Sequence, residues 1–148
     1  MALAAGAAVV MLLAAGGYLL LQRTPSQAAL APQKLPFGAA EAAYAEHVHF
    51  LDLRMSQATN YLNQEFTFLY GVLSNDGNRT IREIEVTIEF RNFMNEVVLR
   101  DTQRVIGPRG QPLNAGFRRD LELAFEHIPA DWNRQYPAIR VTGLRLED

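Results

Sequence analysis

The sequence predicts an all-β domain, an antiparallel β-sandwich of six or seven strands, carried behind one transmembrane α-helix. Three observations predict it. Ile84, Val86, Ile88 and Phe90 alternate with Glu83, Glu85, Thr87 and Glu89, a period of two with one dry face and one wet face. Short apolar runs of this kind recur through residues 47–148, separated by turn signals, with no long helical pattern between them. Residues Ala2 to Leu21, by contrast, carry no charge at all.

Twenty residues at the helical rise cover about 30 Å, the thickness of a bilayer's hydrocarbon core. Tyr18 lies near one end, where an interfacial aromatic belongs, and Arg23 closes the segment. The expected transmembrane helix is therefore 2–22. Ala29-Leu30-Ala31 would serve as a signal-peptide cleavage site, but a basic n-region is missing and the apolar run is long for such a peptide. An uncleaved anchor is the expectation. Ala4, Ala8, Ala15, Gly16 and Gly17 would let a second helix approach closely in lipid, although alanine is also plain apolar filler. No His, Asp or Glu lies in the span, so it offers no side-chain ligand for a haem or chlorophyll metal and no proton relay.

Residues 23–46 form an expected Pro/Ala-rich linker. Pro25, Pro32 and Pro36 indicate an extended spacer, and Phe37 to Glu46 is alanine-rich enough for a short juxtamembrane helix. Two signals conflict on orientation. Arg23 and Lys34 favour a cytoplasmic domain, whereas a leading anchor followed by a β domain favours an extracytoplasmic, periplasmic one, and the latter is the expectation.

The strands of the sandwich, 47–148, follow in order. His47 to Met55 alternates Leu51, Leu53 and Met55 against Asp52 and Arg54. Glu65 to Ser74 puts Phe66, Phe68, Tyr70 and Val72 on one face and Leu69 and Leu73 on the other. Asn75-Asp76-Gly77-Asn78 is a strong turn signal and predicts a hairpin to the strand Thr80 to Phe90. After the turn Asn92 to Asn95 comes Glu96 to Ile106, and Pro108-Arg109-Gly110 breaks the chain. Gly116 to Glu126 places Phe117, Leu121, Leu123 and Phe125 on one face, and the last strand spans Ala138 to Leu146 with Gly143 as a bulge. Trp132, flanked by Pro129 and Pro137, reads chiefly as a plug for one end of the core.

These residues resemble a known family. Gly71-Val72-Leu73-Ser74-Asn75, Asn78-Arg79-Thr80-Ile81 and Val86-x-Ile88-x-Phe90 look like the strand–turn–strand of FxLYD-type domains, and Phe66-Thr67-Phe68-Leu69-Tyr70-Gly71 approximates the motif that names them. Pro112-Leu113-x-x-Gly116-Phe117 resembles the entry to a later strand in the same group, which is related to late-embryogenesis-abundant-like proteins. The resemblance covers Glu65 to Phe125. It implies an immunoglobulin-like sandwich tethered behind a single bacterial transmembrane helix, and it carries no catalytic residues.

Composition narrows the chemistry. A net charge of -2 gives no overall field for nucleic acid, and the absence of cysteine removes disulfides, thiolate metal sites and a Cys nucleophile. Thirteen of the fourteen basic residues are arginine, Lys34 being the exception. His47-x-His49 is the best-placed metal pair, since residues two apart on a strand share a face, with His127 as a possible third ligand. That spacing matches no recognised metal pattern, and polar residues at the mouth of a strand explain it more simply. Ser74 lacks the glycines of a nucleophile elbow, and Glu83, Glu85 and Glu89 are expected on a wet face, paired with arginines. No catalytic residue and no cofactor is expected.

The expected function is a non-catalytic, single-pass interaction module, an accessory subunit of a larger respiratory, photosynthetic or transport complex in the membrane. The alternative is a free-standing envelope domain that binds a glycan or peptide. A metal-dependent enzyme built on His47 and His49 ranks third. Tyr61, Phe93, Trp132 and Tyr136 are the expected partner contacts, although they form no cluster along the sequence.

Overall fold

The computed structural model describes residues 33–147. The expected transmembrane helix 2–22, with its small residues Ala4, Ala8, Ala15, Gly16 and Gly17, and most of the linker lie outside the described residues. No helix among the described residues is long and apolar enough to cross a membrane.

One short helix precedes six strands: α1 (Ala39–Ala45), β1 (Val48–Thr59), β2 (Glu65–Asn75), β3 (Ile81–Arg91), β4 (Val97–Ile106), β5 (Arg118–Glu126) and β6 (Ala138–Leu146). They form two three-stranded antiparallel sheets, ordered β1-β2-β5 and β4-β3-β6. Leu69 and Leu73 of β2, Leu121, Leu123 and Phe125 of β5, and Ile84, Val86, Ile88 and Phe90 of β3 meet in one buried core. The ring of Phe90 stands edge-on to Phe125 at 4.9 Å and to Trp132 at 5.4 Å, which ties the two sheets together.

The Asn75–Asn78 turn does not make the hairpin its sequence predicts. β2 and β3 lie in different sheets, so the turn carries the chain across the core. The physical reason is Asn75, which is fully buried. Its Nδ2 donates to the carbonyls of Arg79 (2.8 Å), Leu113 (3.1 Å) and Asn114 (3.1 Å), and its own amide donates to Phe117 O. The turn is therefore fastened to the β4–β5 connection instead of closing a ladder. Tyr44 of α1 adds its hydroxyl to the same network, and its ring lies over Gly77, where a Cβ would stand 2.4 Å from the hydroxyl oxygen.

Two glycines mark irregularities in the strands. Asp52 takes a positive φ of 51° where β1 and β2 slip register, and Gly71 faces that bulge. A Cβ on Gly71 would lie 2.9 Å from the carbonyl of Leu51. Gly143 sits at the expected irregularity in β6, beside a register shift against β3.

The compact unit begins at Lys34, ahead of the expected sandwich start at His47. Leu35 is buried against Gly143, and Leu144 N donates to Pro36 O at 3.0 Å. The short helix foreseen within Phe37 to Glu46 is α1, begun by Gly38 N donating to the Glu41 carboxylate at 2.8 Å. Phe117 departs from its expected place: it lies just ahead of β5 and is exposed, while Leu121, Leu123 and Phe125 point inward.

Candidate interaction surface

The wet face expected for the acidic residues of β3 is covered. Glu89 is 2% exposed. Its Oε1 accepts from Arg100 and Arg140, and its Oε2 from Arg91 at 3.0 Å. Arg145 and Arg104 pair with Glu83, and Arg104 also reaches Glu85. The arginine side chains shield the carboxylates, so Glu83 and Glu89 are buried and Glu85 half-buried while still facing outward. Burial by itself would raise the pKa of Glu89. The Arg100 hydrogen bond, the Arg140 charge and the Arg91 hydrogen bond outweigh it and hold the carboxyl below its ordinary range. The cross-strand pairing read from the sequence is present; the exposure is not.

The histidines do not converge. His49 Nε2 lies 3.6 Å from Asp76 Oδ2, and the His47 ring stands edge-on to Tyr44 at 5.4 Å. His127 follows β5 at the opposite end of the domain, since Glu126 pairs with Phe66 whereas His49 pairs with Ser74. No group of three potential metal ligands occurs among the described residues.

The loops are more informative. β1 and β2 are joined by Asn60-Tyr61-Leu62-Asn63-Gln64, β3 and β4 by Asn92-Phe93-Met94-Asn95-Glu96. The two share one pattern: Asn, aromatic, long aliphatic, Asn, Gln or Glu. They also share one geometry. Asn60 Oδ1 accepts from the amides of Leu62 (2.9 Å) and Gln64 (3.0 Å), and its Nδ2 donates to Gln64 Oε1 at 2.8 Å. Asn92 Oδ1 accepts from the amides of Met94 and Glu96, both at 2.9 Å, and its Nδ2 donates to Glu96 Oε2 at 2.8 Å. Asn63 and Asn95 both take left-handed φ, 58° and 64°, which asparagine tolerates well.

Both loops lie at the same end of the sandwich. β1 runs antiparallel to β2, and β2 turns at its far end into β3, so β1 and β3 finish together. β5 is also antiparallel to β2 and finishes there, which brings the β5–β6 segment to that end. Direct bonds confirm the neighbourhood: Asn133 N donates to Arg91 O, and Asn133 Nδ2 donates to Asn92 O.

This end exposes apolar side chains that nothing in the domain uses. Tyr61 is 92% exposed, Phe93 86%, Met94 81%, Leu62 63% and Tyr136 61%. Tyr61, Phe93 and Tyr136, scattered along the sequence, are thus brought to one end. Trp132 is not a contact there. It is buried on Phe90, with Nε1 donating to Gln135 O at 3.2 Å, and is the plug of the core. Sequence reasoning missed Leu62 and Met94; the repeated five-residue pattern was the signal that could have found them.

A second apolar feature lies on the outer face of the β1-β2-β5 sheet. Phe66, Phe68 and Tyr70 form a half-buried ladder, with successive rings 6.4 and 6.0 Å apart. An open groove of about 240 Å³ also runs beside Trp132, lined by Met55, Ser56, Gln57, Thr67 and Arg134. Compared with family models, curated proteins and solved structures, the chain matches none.

Proposed function

We propose that this chain is a non-catalytic interaction module, held at a membrane by its N-terminal segment, and that the loop end of its sandwich is the contact surface. The paired tips Tyr61-Leu62 and Phe93-Met94 carry this reading. Their loops are completed by Asn60, Asn63, Asn92 and Asn95, so the apolar side chains between those residues add nothing to the fold. Apolar groups presented this way on a stiff frame suit a contact that needs little ordering on binding. An accessory subunit of a larger membrane assembly has this build. The strand order supports an immunoglobulin-like reading, because that architecture also places its first, second and fifth strands (A, B, E) in one sheet and its C′, C and F strands in the other.

The chain has no native cysteine, which makes the test simple. Single Leu62→Cys, Met94→Cys and Phe117→Cys variants of the full chain are exposed to a water-soluble maleimide in native membranes. Phe117 lies at the opposite end of the sandwich and serves as the reference. Slow labelling at positions 62 and 94, with fast labelling at 117, is expected. Equally fast labelling at all three would overturn the reading.

The aromatic ladder favours a second reading, a free-standing envelope domain that takes an extended glycan or peptide across Phe66, Phe68 and Tyr70. Under that reading Phe68→Ala abolishes ligand binding and substitutions in the tips leave it unchanged.

A further inference from the structure

We infer that the surface the loop end contacts is the interfacial layer of a lipid bilayer, entered by Tyr61 and Leu62 from one hairpin and by Phe93 and Met94 from the other. This rests on the reading above that the loop end is the contact surface.

The character of the tips selects the occupant. Tyr61, Phe93 and Met94 are almost fully exposed, so these side chains stand clear of the domain and a protein partner would have to supply a pocket for each. A bilayer surface imposes no such shape. From Asn60 to Gln64 and from Asn92 to Asn95 there is no formal charge. The exposed apolar residues are flanked by uncharged amides, and one aromatic in each loop sits beside one long aliphatic residue. Aromatic rings with polar neighbours favour the boundary between headgroups and acyl chains, and the aliphatic partner reaches deeper. The charges at this end lean acidic, with Glu65, Glu96, Glu126 and Asp131 against Arg91 and Arg134. The contact therefore draws nothing from anionic lipid, and on a neutral bilayer it is insensitive to salt.

Chain length makes the contact reachable. Ten residues separate the expected end of the membrane segment at Gln22 from Gln33, where the described residues begin. Extended, they span at most about 35 Å. β2, at eleven residues, is ~36 Å long. Were the segment 2–22 to anchor the chain, a connection of this length would hold the domain near the bilayer, where local concentration favours even a shallow insertion.

The test uses the full chain with an environment-sensitive NBD fluorophore on Leu62→Cys, Met94→Cys or Phe117→Cys. Each variant is measured in amphipathic polymer without lipid and after reconstitution into vesicles of neutral phosphatidylcholine. The expected result is a blue shift at positions 62 and 94 in vesicles, quenched by lipids carrying a nitroxide near the headgroup and unaltered by salt, with no shift at 117. Emission at 62 and 94 that is the same in polymer and in vesicles overturns the inference. If those positions are protected in native membranes yet free in pure lipid vesicles, a protein covers them: the bilayer inference falls and the contact-surface reading stands. A blue shift already present without lipid and dependent on protein concentration would make the occupant a second copy and would also overturn it.

Discussion

The phenol of Tyr44 is bound to both backbone polar groups of Arg79. Its hydroxyl lies 2.7 Å from Arg79 O and accepts from Arg79 N at 2.9 Å. Helix α1 thereby holds the turn that passes the chain from one sheet to the other. Tyr44→Phe removes the acceptor for a sheltered amide and should cost about 1–3 kcal/mol. Urea unfolding of the full chain checks it, with a lower midpoint and an unchanged slope expected.

Asn75 is the harder residue to replace. Asn75→Asp keeps the shape but turns a group that donates to three carbonyls into one that accepts. It also buries a negative charge among oxygens. A loss of about 3 kcal/mol or more is expected, exceeding that of Asn75→Ser, which buries no charge. Thermal unfolding followed by the fluorescence of Trp132 at the far end would show the loss as a global shift.

Gly71→Ala tests the bulge at Asp52. The added methyl would meet the Leu51 carbonyl at 2.9 Å and the Leu53 side chain at 2.8 Å. The side chain can give way, but the carbonyl is backbone. A cost of about 1–3 kcal/mol is expected, with hydrogen exchange accelerated in β1 before β3.

Glu89 sets an acid limb. The unfolded chain protonates this carboxyl near its ordinary value of 4.5, and the folded chain does so at lower pH because of Arg100, Arg140 and Arg91. Its contribution is therefore fully present above that value. It is lost as pH falls below 4.5 towards the folded state's lower pKa. Glu89→Gln should lower the urea midpoint at neutral pH and flatten its decline below pH 4.5. An acid limb as steep as that of the unaltered chain would contradict this.

The strands were legible because their signal is local. Alternation of Leu, Ile and Phe with charged residues reports a strand wherever it pairs, and Ala138 to Leu146 was bounded correctly from that pattern alone. Pairing was less legible. Asn75-Asp76-Gly77-Asn78 carries the chemistry of a tight hairpin, yet the deciding bonds run from Asn75 to Leu113 and Asn114, which no local pattern reveals. Glu89 was misjudged for a related reason: alternation reports which way a side chain points, not that three arginines from neighbouring strands and its own will roof it over. The exposed loop end was only half legible. Tyr61, Phe93 and Tyr136 could be named, but their assembly depends on three separate strands finishing together.

Leu35 and Pro36 give the domain a mechanical entry point. A pull on the N-terminal segment first meets one buried leucine and one backbone bond to β6, then a helix of seven residues, and only afterwards β1. These restraints stand in series, so each carries the load alone and yields in turn. A load applied there would be met by Leu35 against Gly143 and by α1 before it reached β1. Freeing that seam would lengthen the chain ahead of β1 and leave the loop end, held by Asn60 and Asn92, unchanged.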